Sequence, residues 1–140
     1  MEYNRLNGTR YDEDQFTQPT PAFQQMSSLR PLLDHFGPYL GRSHLIRFGK
    51  GGHFPPHRDA FGLGMKCFRV LGLCRNCGRD QFVMLMNGER AHLEPGRAYL
   101  IETRMDHSVF SFTDDCTILV LNVILSDASF RAAMNAVKIR

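Results

Sequence analysis

The chain has 140 residues (16.0 kDa), 43% of them apolar and 22% charged, with a formal net charge of +3. That composition, with 11 Phe, supplies enough apolar surface to offset chain entropy, which excludes disorder. The longest apolar stretch, 117–125, is interrupted by Asn122 and falls well short of the ~20 residues a membrane helix needs; the slight positive excess argues no nucleic-acid partner.

Residues 1–20 are polar and aperiodic, which predicts a loosely ordered arm or an edge strand and no secretory signal. From 21 to 40 the spacing turns helical. Phe23, Met26, Leu29, Leu32, Leu33 and Phe36 fall three or four apart, with Thr20 and Ser28 as candidate N-caps and Gly37-Pro38 as a stop. Pro31 divides this lead-in into two short helices. After Gly41, strand-like runs are expected at 43–48, 66–74, 81–86, 89–93, 97–102, 107–112 and 117–125. Asn87-Gly88, Glu94-Pro95-Gly96 and Thr113-Asp114-Asp115 punctuate them as turns. Short strands at this even spacing predict an antiparallel sandwich or barrel. A last helix is expected over 126–138, capped by Ser126 or Asp127, with Phe130, Met134 and Val137 at helical spacing. The expected organisation is an arm over 1–20 and one domain over 21–140: helical lead-in 21–40, β-core 41–125, C-terminal helix 126–138.

Four cysteines in a chain of this size fit a reduced, cytoplasmic protein better than a disulfide scaffold. Cys74 and Cys77 form a CxxC in an expected hairpin loop. It is half of a zinc or redox site, with no second pair to complete it.

The segment richest in chemistry is Gly-Gly-His-Phe-Pro-Pro-His-Arg-Asp, residues 51–59. His57 and Asp59 are two apart, so an extended backbone turns both to one face. One distant His would complete a set of two imidazoles and a carboxylate, which holds a first-row metal and leaves coordination positions open. A His-x-Asp/Glu triplet is expected about 0.6 times by chance at this composition, and a second one, His92-Leu-Glu94, does occur. The third ligand separates them. In a double-stranded β-helix the pair sits early and the third ligand several hairpins later; His107 stands in that relation to Asp59, but only one strand beyond Glu94. Ordinary readings stand beside these: His107 as a half-buried strand histidine, Asp59 as a turn residue before 60–64, His53 as a loop residue, His44 as a strand-face residue.

In order and spacing, several pieces resemble the aspartyl/asparaginyl β-hydroxylase-like group of Fe(II)/2-oxoglutarate oxygenases, which includes small proline-hydroxylase-like enzymes. They are Pro-His-Arg-Asp (56–59), Phe-Arg-Val-Leu-Gly-Leu (68–73), Asn-Gly-Glu-Arg-Ala-His-Leu-Glu-Pro-Gly-Arg-Ala-Tyr (87–99), Asp-His-Ser-Val-Phe (106–110), and the closing strand and helix. The resemblance covers about residues 40–138. It implies a mainly β, double-stranded β-helix (jelly-roll, cupin-like) barrel with short N-terminal helices and a C-terminal helix. It also implies Fe(II) at a catalytic centre of His57, Asp59 and His107, with 2-oxoglutarate and O2 as cosubstrates. Arg69 matches the arginine that grips the distal carboxylate of 2-oxoglutarate, with Lys66 and Lys50 as fallback cations. A second family arginine, about ten residues after the last ligand, is replaced here by Thr117. Arg58 and Arg104 are either contacts for an acidic substrate group or surface charges. The implied activity is hydroxylation of an unactivated C–H bond of an amino acid or a peptide or protein side chain, with no membrane partner. The rival, toward which Thr117 points, is a non-catalytic cupin-like module binding a metal or small molecule. A third reading is a zinc-stabilised interaction domain built on Cys74 and Cys77.

Overall fold

Runs of β-branched and aromatic residues separated by Gly, Pro and Asp turns give eight strands in the computed structural model, which describes residues 2–12, 15–60 and 66–136. The strands are β1 (His44–Phe48), β2 (His53–His57), β3 (Cys67–Arg75), β4 (Phe82–Met86), β5 (Glu89–Arg90), β6 (Ala98–Ile101), β7 (His107–Ser111) and β8 (Cys116–Ile124). Helices α1 (Glu2–Asn7), α2 (Pro21–Gln25) and α3 (Arg30–Phe36) precede them, and α4 (Asp127–Ala136) follows. Two four-stranded antiparallel sheets form, in the orders β1-β8-β3-β6 and β2-β7-β4-β5. These interleaved orders are those of a jelly roll, the architecture that includes cupin-like barrels.

The run 117–125 is almost continuously apolar because β8 is buried on both faces. Cys116, Ile118 and Val120 point between the sheets, into a core with Phe48, Leu71, Phe82, Met84 and Val109. Leu119, Leu121 and Val123 point the other way, against Leu33, Phe36 and Leu40 of the lead-in and Ala133 of α4. The sheet therefore carries two cores, and the helices are the second layer of the outer one. The hairpin β4–β5 closes through Asn87 and Gly88, both at positive φ (50 and 81°), as a mirror-image turn requires.

Besides β2, the structure departs from expectation at four places. Residues 1–20 hold the short helix α1 rather than a strand; Asn4 organises its exit, with Nδ2 donating to Tyr11 O (2.7 Å) and Oδ1 accepting from Thr9 Oγ1 (2.8 Å). Thr20 does cap α2, but α3 starts from Leu29 without a side-chain cap; Ser28 lies in a 3-10 turn and Pro31 in the helix's first turn. Strand β5 has only two residues, because beyond Arg90 the chain leaves β4 after one further bond, Ala91 N–H to Met84 O (2.9 Å). On α4 the buried residues are Ser129 and Ala133, while Phe130 and Met134 are 53% and 47% exposed; small side chains let the helix lie close on the sheet. Val137, the end of the predicted helix, and residues 61–64 of the segment after Asp59 lie outside the described residues. No described helix is long and apolar enough to cross a membrane.

Candidate metal centre

The strand-like runs expected from the sequence do not include 53–57, a stretch that holds two prolines. The structure makes it an edge strand, where missing N–H groups cost no ladder bonds. It pairs with β7 as His53↔Phe110 and Phe54↔Val109, then shifts register so that His57 faces His107. Without that bulge His57 would stand opposite Asp106 and point out of the barrel. The same pairing puts His53 in a strand rather than a loop, stacked on Phe110 with ring centroids 6.0 Å apart.

Asp59 follows the strand, and its N–H donates to Thr103 O (2.9 Å), which draws it beside the connection leading to His107. The ligand atoms of His57, Asp59 and His107 all lie within 4.8 Å of one another. His57 Nε2 is 3.8 Å from Asp59 Oδ1, and His107 Nε2 is 3.8 Å from Asp59 Oδ2. Each imidazole has its other nitrogen against a backbone carbonyl: His57 Nδ1 on Pro55 O (2.7 Å) and His107 Nδ1 on Met105 O (3.0 Å). A carbonyl only accepts, so each Nδ1 donates its proton there and each Nε2 is turned to the cluster, the arrangement usual for a metal-ligating histidine. Side-chain exposure falls from 40% at His57 through 18% at Asp59 to 7% at His107, so the group runs from the surface into the barrel. The donor set suits a first-row divalent ion, and among the described residues it is the one group of three or more His, Cys, Asp or Glu so arranged.

Arg69 stands on β3 between Ile101 and Asn122. Its Nη1 donates to Asp59 Oδ2 and its Nε to Asn122 Oδ1 (2.7 Å). Asn122 is 2% exposed and fully engaged. Its Nδ2 donates to Arg42 O, its N–H to Ser43 Oγ (3.1 Å), and its carbonyl accepts from Gly41 N–H (2.8 Å). Sequence reasoning missed this residue as a site residue. Its one signal was a buried-type polar group inside the apolar run of β8.

The other predicted residues fall elsewhere. Thr117 lies five residues from Asn122 along β8, about 17 Å, and shares the outward parity of Leu119 and Leu121, so the structure does not bring it to the cluster. Lys50 sits in the β1–β2 turn with its N–H on Asp114 Oδ1 (2.9 Å), and Lys66 is exposed just before β3. Arg58 donates twice to Asp106 (2.7 and 2.6 Å), tying the His57–Asp59 segment to the residue before His107 and holding the Asp106 carboxyl below its usual range. Arg104 similarly grips Glu102, whose carboxyl it pulls down to about 2. His92 and Glu94 do not pair, because Glu94 is taken by Arg97 (2.8 Å). Cys77 turns away from exposed Cys74 to buried Cys116, with sulfurs 3.5 Å apart, so the CxxC forms no metal cluster among the described residues.

No protein-family profile and no curated protein matches the chain. Several solved structures are similar in shape. KdgF from Halomonas sp. has a TM-score of 0.48 at 19% identity, over 65% of this chain and 74% of that one. A predicted oxalate decarboxylase from Thermotoga maritima has 0.49 at 13% identity, over 66% and 74%. A conserved protein of unknown function from Streptococcus pyogenes has 0.46 at 12% identity, over 63% and 67%. The likenesses are remote, and the jelly-roll assignment rests on the strand order of this chain itself.

Proposed function

We propose that this protein is an Fe(II)- and 2-oxoglutarate-dependent oxygenase that hydroxylates an unactivated C–H bond of an amino acid, free or within a peptide or protein. The observation that carries the reading is the convergence of two Nε2 lone pairs and one carboxylate on a single patch inside a jelly roll. His57, Asp59 and His107 would hold the metal, their Nδ1–H bonds fixing tautomer and ring orientation. When bound, Fe(II) with 2-oxoglutarate and O2 supplies the oxidising power that no side chain has. Arg69, in direct contact with Asp59, is the cation at hand for the distal carboxylate. It already spends one N–H on Asp59 and one on Asn122, which leaves the outer edge of its fork for that role. A reduced, cytoplasmic setting suits a ferrous centre and four free thiols.

A second reading, a non-catalytic metal-binding module, is favoured by the same engagement of Arg69 and by the outward placement of Thr117. An anaerobic titration with Fe(II) and then 2-oxoglutarate separates the two. The oxygenase reading expects a saturable visible charge-transfer band, followed by succinate formation on admitting O2. Iron binding without the band would favour the module, and no iron binding would overturn the oxygenase reading.

A further inference from the structure

The His92-Leu-Glu94 triplet, left unused by the metal cluster, lines an open cavity of about 320 Å³ along the β5–β6 connection. We propose that this cavity binds a small organic carboxylate with an apolar body; the inference does not rest on the oxygenase reading. Its floor is the inner face of β4 at Phe82 and Met84, 5% and 2% exposed, and Leu93 and Pro95 complete an apolar wall. Arg79, Arg90 and His92 line the polar side. Arg90 Nη2 donates to Arg79 O, which ties its guanidinium to the neighbouring stretch of the lining. Among the described residues, neither the Arg79 guanidinium nor the His92 ring has a hydrogen-bond or ion-pair partner. The single acid of the lining, Glu94, is already neutralised by Arg97.

The wall is pre-formed. Ala91 N–H donates to Met84 O (2.9 Å) and Glu94 N–H to Tyr99 Oη (2.7 Å), which pins the connection before any ligand arrives. Two guanidiniums match a carboxylate's two oxygens, and the imidazole adds an N–H in either charge state. The apolar half of the lining gives inorganic phosphate nothing to contact, so the site selects an anion with a ring or short chain attached. The volume is at the small end of the ligand-pocket range, about that of a compact metabolite. Met84 is two residues from Met86, which faces His107, so the cavity lies in the same barrel as the metal cluster but shares none of its residues.

Calorimetric titration of the full chain with benzoate, benzamide and inorganic phosphate tests the proposal. Benzoate is expected to bind at least tenfold more tightly than either of the others. Arg79→Gln, at an exposed position that leaves the fold intact, should weaken benzoate by about tenfold. Arg69→Ala should leave benzoate affinity unchanged. The proposal is overturned if benzoate does not bind, if benzamide or phosphate binds equally well, or if binding is lost with Arg69→Ala and not with Arg79→Gln. The last result would place the carboxylate beside the metal cluster instead.

Discussion

Asp59 has two oxygens and three neighbours, and the division between them governs the cluster. Oδ2 accepts from Arg69, while Oδ1 is turned to His57. Removing His107 deletes the most buried ligand, so His107→Ala should lower metal affinity by at least a hundredfold, read by metal titration, and abolish any succinate production. Arg69→Ala should weaken 2-oxoglutarate at least tenfold and change iron affinity much less; equal loss of both would assign Arg69 to holding Asp59 rather than the cosubstrate. The thiols give a separate residue-scale test. Burial first, then the neighbouring Cys77, pushes Cys116 up from 9.0 to about 12. The folded chain thus keeps this proton to higher pH than the unfolded chain. The contribution is intact below about pH 9 and is lost as pH climbs toward 12. Urea unfolding at pH 7 and pH 10 should show a smaller alkaline loss in Cys116→Ala than in the wild type.

At the scale of elements, β2 and α4 show how local rules were overridden or obeyed. Two prolines argue against a strand, yet an edge position beside β7 removes their penalty, and the bulge they occupy aims His57 at His107. Helix α4 obeys its capping signal. Ser129 N–H donates to Ser126 Oγ (3.1 Å) and Ser126 N–H to Ser129 Oγ (2.9 Å), a reciprocal cap, and Ser129 Oγ also donates to Ile124 O (2.7 Å). Ser126→Ala should cost about 1 kcal/mol. Ser129→Ala, at a position with no exposure, should cost more, about 1–3 kcal/mol, because it removes both the acceptor of Ser126 N–H and the donor to Ile124 O. Urea denaturation of both variants checks the order.

For the whole molecule, metal and fold are linked. The three candidate ligands come from an edge strand, the segment beyond it and the start of β7, so the unfolded chain cannot present them together. An ion at a hundred times its Kd should stabilise the folded state by about 2.7 kcal/mol. In a domain of this size that is a rise in Tm of roughly 10 °C. Thermal unfolding under anaerobic Fe(II) should show it in the wild type and not in Asp59→Ala; an equal rise in both would remove Asp59 from the ligand set.

Seven of the eight strands, the Asn87-Gly88 hairpin and the mainly β class were legible in the chain, because period-two patterning and turn residues act over a few positions. His57, Asp59 and His107 could be nominated from residue type and order. Their meeting depends on a register shift between β2 and β7, a pairing over some 50 residues that no local signal encodes. Asn122 shows the same limit: its polarity stood out in an apolar run, while its partners Arg69, Arg42 and Ser43 come from other strands and loops. Likewise Phe130 and Met134 mark the apolar period of α4 but remain exposed, since Ser129 and Ala133 give the closer contact with the sheet. Local sequence determined which elements form. Packing decided which faces meet, because buried area and unpaired polar groups are settled only when distant segments are brought together.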